Sequence, residues 1–166
     1  IRLNQFNRTS LDKYTTLVMV SGSYNQISES GIKKIKDWVG KGNTLITIGS
    51  ASSWAIKKEV VKESLVETKN DTIFSRKRYI DAREYSGRER IGGSILKVDL
   101  DLTHPLAFGY RDQSIPVYKN NNVFLNKSKS DYSSVAIYSK NPHIDGYVSK
   151  KNMENNLKGA ASLIVS

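Results

Sequence analysis

Cysteine is absent from all 166 residues, which removes disulfides, thiolate metal sites and a cysteine nucleophile in one step and leaves the compartment open. Histidine is nearly absent, with only His104 and His143. A peptidase-type zinc site needs two or three imidazoles and a carboxylate converging on a tetrahedron. Three positions after each histidine stand Ala107 and Gly146 rather than Glu, and no second His shares a helical face, so the chain itself is expected to hold no metal or other cofactor. No apolar run approaches the about 20 residues that cross a bilayer, so no membrane span is expected. Nucleotide loops are missing too: no Gly-x-Gly-x-x-Gly follows a strand, and Gly92-Gly93 precedes a strand as a tight turn. The chain opens on Ile1-Arg2-Leu3 with no charged-then-apolar leader and stops inside the strand-like Ala160–Val165, as expected for a piece of something longer.

What is present is a basic chain of one-domain size. Lys and Arg number 26 against 16 Asp and Glu, a net charge of +10, and 38% apolar residues suffice for one core across 1–166. The basic residues form no single stripe. Lys33, Lys34 and Lys36 share the polar side of one helix, and Arg76-Lys77-Arg78 and Lys150-Lys151 stand far apart. A solvated surface is the first reading; an anionic partner stays open, while specific nucleic-acid recognition is not expected.

Two strand–helix units open the sequence. Thr15–Val20 is a continuous β-branched run of the kind covered on both faces. Ser28 is placed to cap a helix, with Glu29 in its first turn and Ile32, Ile35, Trp38 and Val39 at helical spacing. Gly40 and Gly42 stop it, Thr44–Ile48 is a second buried-type strand, and a second helix is expected over Ala51–Glu63. Strand, crossover helix and strand make a βαβ unit, which favours a parallel sheet. The polar stretch 69–93 reads as a surface insertion or long loop, with a short helix at Tyr79–Tyr85. Ile95–Leu102 alternates as a half-buried strand, and later strands are expected at Asn122–Leu125, Ser134–Tyr138 and Ala161–Val165, with a short helix over Ser149–Leu157.

The turn Gly49-Ser50-Ala51-Ser52-Ser53 joins a strand to a helix, the place where hydrolases and glutamine amidotransferases present a nucleophile beside a helix N-terminus. The elbow pattern wants a nucleophile at its third position and glycine at its fifth; Ala51 and Ser53 stand there instead. Helix capping by Ser50 is therefore the default, and no catalytic residue is assigned. Gly49, Ser50, Ser52 and Ser53 remain candidates for holding an anionic group with nearby Arg or Lys, and His104, just past a strand, is a further ligand-binding candidate. A residual serine hydrolase would need Ser50 or Ser52 beside His104 or His143. Asp99 with Asp101, and Asp81 with Glu84, read as same-face surface carboxylates rather than a glycosidase pair, and Trp38 and Trp54 as core.

Taken together, Tyr14–Tyr24, Ile35–Val39 and Gly42–Gly49 resemble the opening of a class I glutamine-amidotransferase-like domain. Tyr79–Glu84, Ile91–Ile95, Asp101–Tyr110 and Asn141–Tyr147 narrow the resemblance to the C-terminal region of bacterial, Bacteroidetes-type zinc carboxypeptidase-family proteins. His104-Pro105-Leu106-Ala107-Phe108-Gly109-Tyr110 is its most specific part. The resemblance implies a three-layer, flavodoxin-like α/β fold, a mostly parallel sheet with helices on both faces. It implies an exported parent whose zinc and catalytic groups lie in a separate peptidase domain, the partner of this one. With Ala51 where the amidotransferase cysteine would stand, it implies an accessory, non-catalytic role that packs on, orients or regulates that domain and helps hold peptide or cell-wall substrates. The alternative is a module binding an anionic, glycan or peptide ligand.

Overall fold

The computed structural model describes residues 1–67, 78–81 and 90–166. They fall into two compact units, Ile1–Lys62 and Glu63–Ser166.

The first unit holds the βαβ element. Strand β1 (Thr16–Met19) pairs in parallel with β2 (Thr44–Thr47), Val18 opposite Ile46. Between them runs helix α1 (Glu29–Gly40), capped as its sequence dictates: Ser28 Oγ accepts from the Gly31 amide at 3.2 Å, and Asn7 Oδ1 accepts from both the Ser28 amide and its hydroxyl. The helix buries Ile32, Ile35 and Trp38, each worth about 2 kcal/mol of apolar transfer. The Trp38 indole N–H is satisfied inside the core by the carbonyls of Leu11 and Tyr14. Helix α2 (Ser50–Lys57) is shorter than its pattern predicts, because Glu59 takes a left-handed φ of 54° and the Val60 amide turns back to the Ala55 carbonyl, sending Val60 into the core instead of onward along a helix.

The second unit is antiparallel. Strands β3 (Ser94–Leu100), β4 (Ser114–Lys119), β5 (Ser134–Gly146) and β6 (Ala161–Ile164) form one sheet in the order β4-β3-β5-β6. β3 buries Ser94, Leu96, Val98 and Leu100 and exposes the residues between, the alternation its sequence announces. β5 runs well past Tyr138, and its pairing with β3 jumps from Tyr138 to His143 across a bulge that buries Pro142. The segment 122–125 makes only isolated bridges, Leu125 to Leu65 and to Ala161, in place of the expected strand. The helix expected over Ser149–Leu157 is a π-helical turn at Asn152–Leu157, with the Asn156 amide bonded to Asn152 Oδ1.

The three-layer, flavodoxin-like fold is corrected by this topology. Among the described residues parallel pairing is confined to two strands, and the larger sheet is antiparallel throughout. The structure also adds a strand, β4, that the sequence hides behind Pro116. Proline cannot donate to a ladder and is tolerated there because β4 lies at the sheet edge. The stretch 69–93 lies largely outside the described residues; of the helix expected at Tyr79–Tyr85, a 3-10 turn at Tyr79–Asp81 is described and the rest falls outside them.

Candidate functional site

The candidate serines gather where the parallel strands end, the edge at which α/β sheets place ligands. The Ile48-Gly49-Ser50 elbow turns sharply because Gly49 adopts φ 60° and ψ −121°, a conformation closed to residues with a Cβ. Gly49, not Ser50, is therefore the N-cap of α2, which corrects the capping role expected of Ser50. The Ser50 hydroxyl instead reaches across to the loop after β1, accepting from the Gly22 amide at 2.9 Å and donating to the Gly22 carbonyl at 3.1 Å. Its amide donates to Ser21 Oγ. Ser52 Oγ donates back to the Thr47 carbonyl at 3.0 Å and meets Thr47 Oγ1 at the same distance.

The first-turn amides are engaged as well. Ala51 donates to the Ile48 carbonyl, and Ser52 and Ser53 to that of Gly49. An incoming anion would have to displace these bonds and Ser21, so the helix start is a closed latch between two loops. Behind it Tyr24 and Trp54 pack with ring centroids 5.6 Å apart. The Tyr24 hydroxyl donates to the Val20 carbonyl, and burial pushes that phenol above its ordinary range. Trp54 Nε1 is buried without a partner among the described residues. Replacing Ser50 by Ala removes both bonds to Gly22 and is expected to lower the unfolding free energy by about 1 kcal/mol, with a similar loss for Ser52→Ala. Urea titrations of the two variants check this, and no loss in either would mean the latch is not formed.

His104 belongs to the second unit. It caps the 3-10 turn Pro105–Ala107, its Nδ1 accepting from the Leu106 amide at 3.1 Å. That bond fixes the neutral ring's proton on Nε2. Beside it, Asp101 Oδ1 accepts from the Thr103 hydroxyl at 2.6 Å and its amide at 2.9 Å, which together hold the carboxyl below the usual range. His143 also closes a turn, its Nε2 donating to the Gly146 carbonyl. Among the described residues no three His, Asp or Glu side chains converge as a metal site would require.

Two features of the second unit escape any sequence pattern. An open groove of about 520 Å³ is lined by Asp99, Asp101, Lys127, Lys140 and Lys158 among others; of these only Asp99 and Asp101 could be grouped from the sequence, by strand alternation. The second is Lys119, 6% exposed at the end of β4. Its ammonium donates to the Val123 carbonyl at 2.6 Å and to Asn121 Oδ1 at 3.2 Å, and lies 4.8 Å from the Phe124 ring centroid. Burial lowers its pKa to about 8. Nothing in a Lys-Asn-Asn-Asn run signals a buried cation; strand alternation would do so only once β4 was recognised.

No family model, curated protein or solved structure matches the chain.

Proposed function

We propose that this chain is a non-catalytic accessory domain that packs beside and orients a catalytic neighbour. The elbow carries the reading. A serine nucleophile needs a free hydroxyl and an oriented base, whereas Ser50 and Ser52 both bond backbone groups of their own unit. His104 and His143 each bond a backbone group of their own turn, which favours structural roles for both. That the neighbour is a zinc carboxypeptidase domain of an exported parent rests on the His104–Tyr110 and Asn141–Tyr147 resemblance, and zinc would reside in that domain.

Two assays on the purified chain test the reading: metal content with chelator-sensitive release of C-terminal residues from peptides, and labelling by a fluorophosphonate. The expected result is substoichiometric zinc, no chelator-sensitive cleavage and no label. One zinc per chain with cleavage, or labelling that disappears in Ser50→Ala or Ser52→Ala, would overturn it.

A further inference from the structure

Among the described residues the β1–β2 sheet is covered on one face only. Leu17, Met19 and Leu45 point into the core shared with α1 and α2. Alternation sends Val18 and Ile46 to the opposite face, where they are 53% and 44% exposed, and the residues that follow each strand in the same phase, Val20 and Ile48, are 59% and 52% exposed. β-branched residues in parallel pairs are almost always buried on both sides, because crossover helices cover both. Four of them on an open two-strand sheet form a patch whose sequence is that of a buried surface. Thr16 and Thr44, paired in the ladder and exposed, continue the same face at its other end, so no charge interrupts it.

We propose that this face docks an amphipathic helix with an acidic polar side, supplied by the neighbouring domain. The inference rests on the accessory-domain reading and names its contact surface. A helix is the element that covers parallel strands, since its apolar stripe matches the flat pleat. The acidic character follows from charge: residues 1–62 carry ten Lys and Arg against four Asp and Glu, a net +6, so an anionic partner is attracted and a second copy repelled. Area points the same way. Four half-exposed aliphatic side chains present on the order of a few hundred Å², short of the roughly 800 Å² per partner of a stable free-standing dimer. That suits a helix tethered in the same parent chain, for which effective concentration makes up the affinity. A bilayer surface fits less well, because the patch carries none of the Trp or Tyr that anchor at that interface.

The absence of native cysteine makes the test direct. Ile46→Cys and, as a control on the outer side of α1, Lys36→Cys each supply one thiol for maleimide labelling. The probe is an 18-residue helical peptide with leucine on one side and glutamate on the other; its counterpart carries lysine in place of glutamate. The expected results are fast labelling of both variants in the free chain and at least tenfold slower labelling of Ile46→Cys alone with the glutamate peptide. Anisotropy should give micromolar binding of that peptide, at least tenfold weaker for the lysine peptide. Binding should be lost in the Val18→Thr, Ile46→Thr double variant, which keeps β-branching and hence the strand; circular dichroism confirms its fold. Equal binding of both peptides, or none, overturns the proposal. So does slow labelling in the free chain, which would mean another part of the chain covers the face. Concentration-dependent self-protection would assign it to a second copy, and protection by phosphatidylserine vesicles but not by peptide would assign it to lipid; either overturns it. The hydrolysis assays above are unaffected by any of these outcomes, so the two readings fail separately.

Discussion

Gly146→Ala is expected to destabilise the second unit by about 3 kcal/mol, seen as a fall of about 1 M or more in the urea midpoint. Two costs add. Gly146 has φ 83°, where a residue with a Cβ is strained by about 1–2 kcal/mol. A Cβ there would also stand 2.5 Å from the Gly93 carbonyl oxygen and 2.8 Å from Ser94 Cα, both backbone atoms of the facing chain. Neither can swing aside as a side-chain tip could. Ser94 pairs with Gly146 in the ladder, is 2% exposed, and its hydroxyl donates to the Tyr147 carbonyl, so relief of the clash means opening that end of β3 and β5. Gly159→Ala separates the two costs. Gly159 has φ 74° but nothing within 4 Å of the added Cβ, and its replacement should cost only the backbone share, about 1 kcal/mol. Equal losses at the two glycines would show that the close approach at Gly93 carries no energy.

The local rules of the chain were legible and its long-range pairing was not. Ser28, the Ile32–Ile35–Trp38 stripe and the β-branched strands give α1, β1 and β2 within a residue or two, because capping and periodicity act over one or two turns. The parallel pairing of β1 and β2 does not carry over to the described strands of the second unit. Leu96, Val98 and Leu100 alternating with Lys97 and Asp99 is the pattern of a sheet wet on one face, which antiparallel sheets allow and doubly covered parallel sheets do not. That signal argues against the three-layer fold that the resemblance implies. Strand β5 extends past the expected end at Tyr138, because the bulge accommodates Pro142 and lets pairing with β3 resume at His143.

The elbow shows the same division. Its position after β2 and the absence of a nucleophile at Ala51 were readable from residue types. What Ser50 and Ser52 do was not, because their partners, Gly22 and the Thr47 carbonyl, are set by how two loops meet and by the Gly49 turn. A hydroxyl at a helix start has the same sequence signature whether it caps, catalyses or latches.

Among the described residues Lys119 makes the largest pH effect expected. Its amine has a folded pKa of about 8, lowered from 10.5 by burial between the loop 120–125 and the core. Among the described residues the groups facing it are the Val123 carbonyl, Asn121 Oδ1 and the rings of Phe124 and Tyr138, and no carboxylate bonds it. Among the described residues Tyr138 is the other titratable group facing it, and burial raises that phenol's pKa above its ordinary value. Below about pH 8 the amine is charged in both states, and the folded chain bears the full cost of burying an ammonium. Between about 8 and 10.5 the unfolded chain binds the extra proton, so stability from this group rises with pH; above 10.5 the penalty is gone. At about 1.4 kcal/mol per unit, the shift corresponds to roughly 3 kcal/mol. Lys119→Met keeps the stem and removes the charge. The stability of the native chain minus that of Lys119→Met should therefore climb by about that amount from pH 7.5 to 10.5, a difference in which the other tyrosines and lysines cancel. A flat difference would mean the ammonium is solvated and the Val123 and Asn121 bonds are those of a surface lysine. A falling one would mean the cage prefers the cation, with the Phe124 ring and the Val123 carbonyl outweighing desolvation.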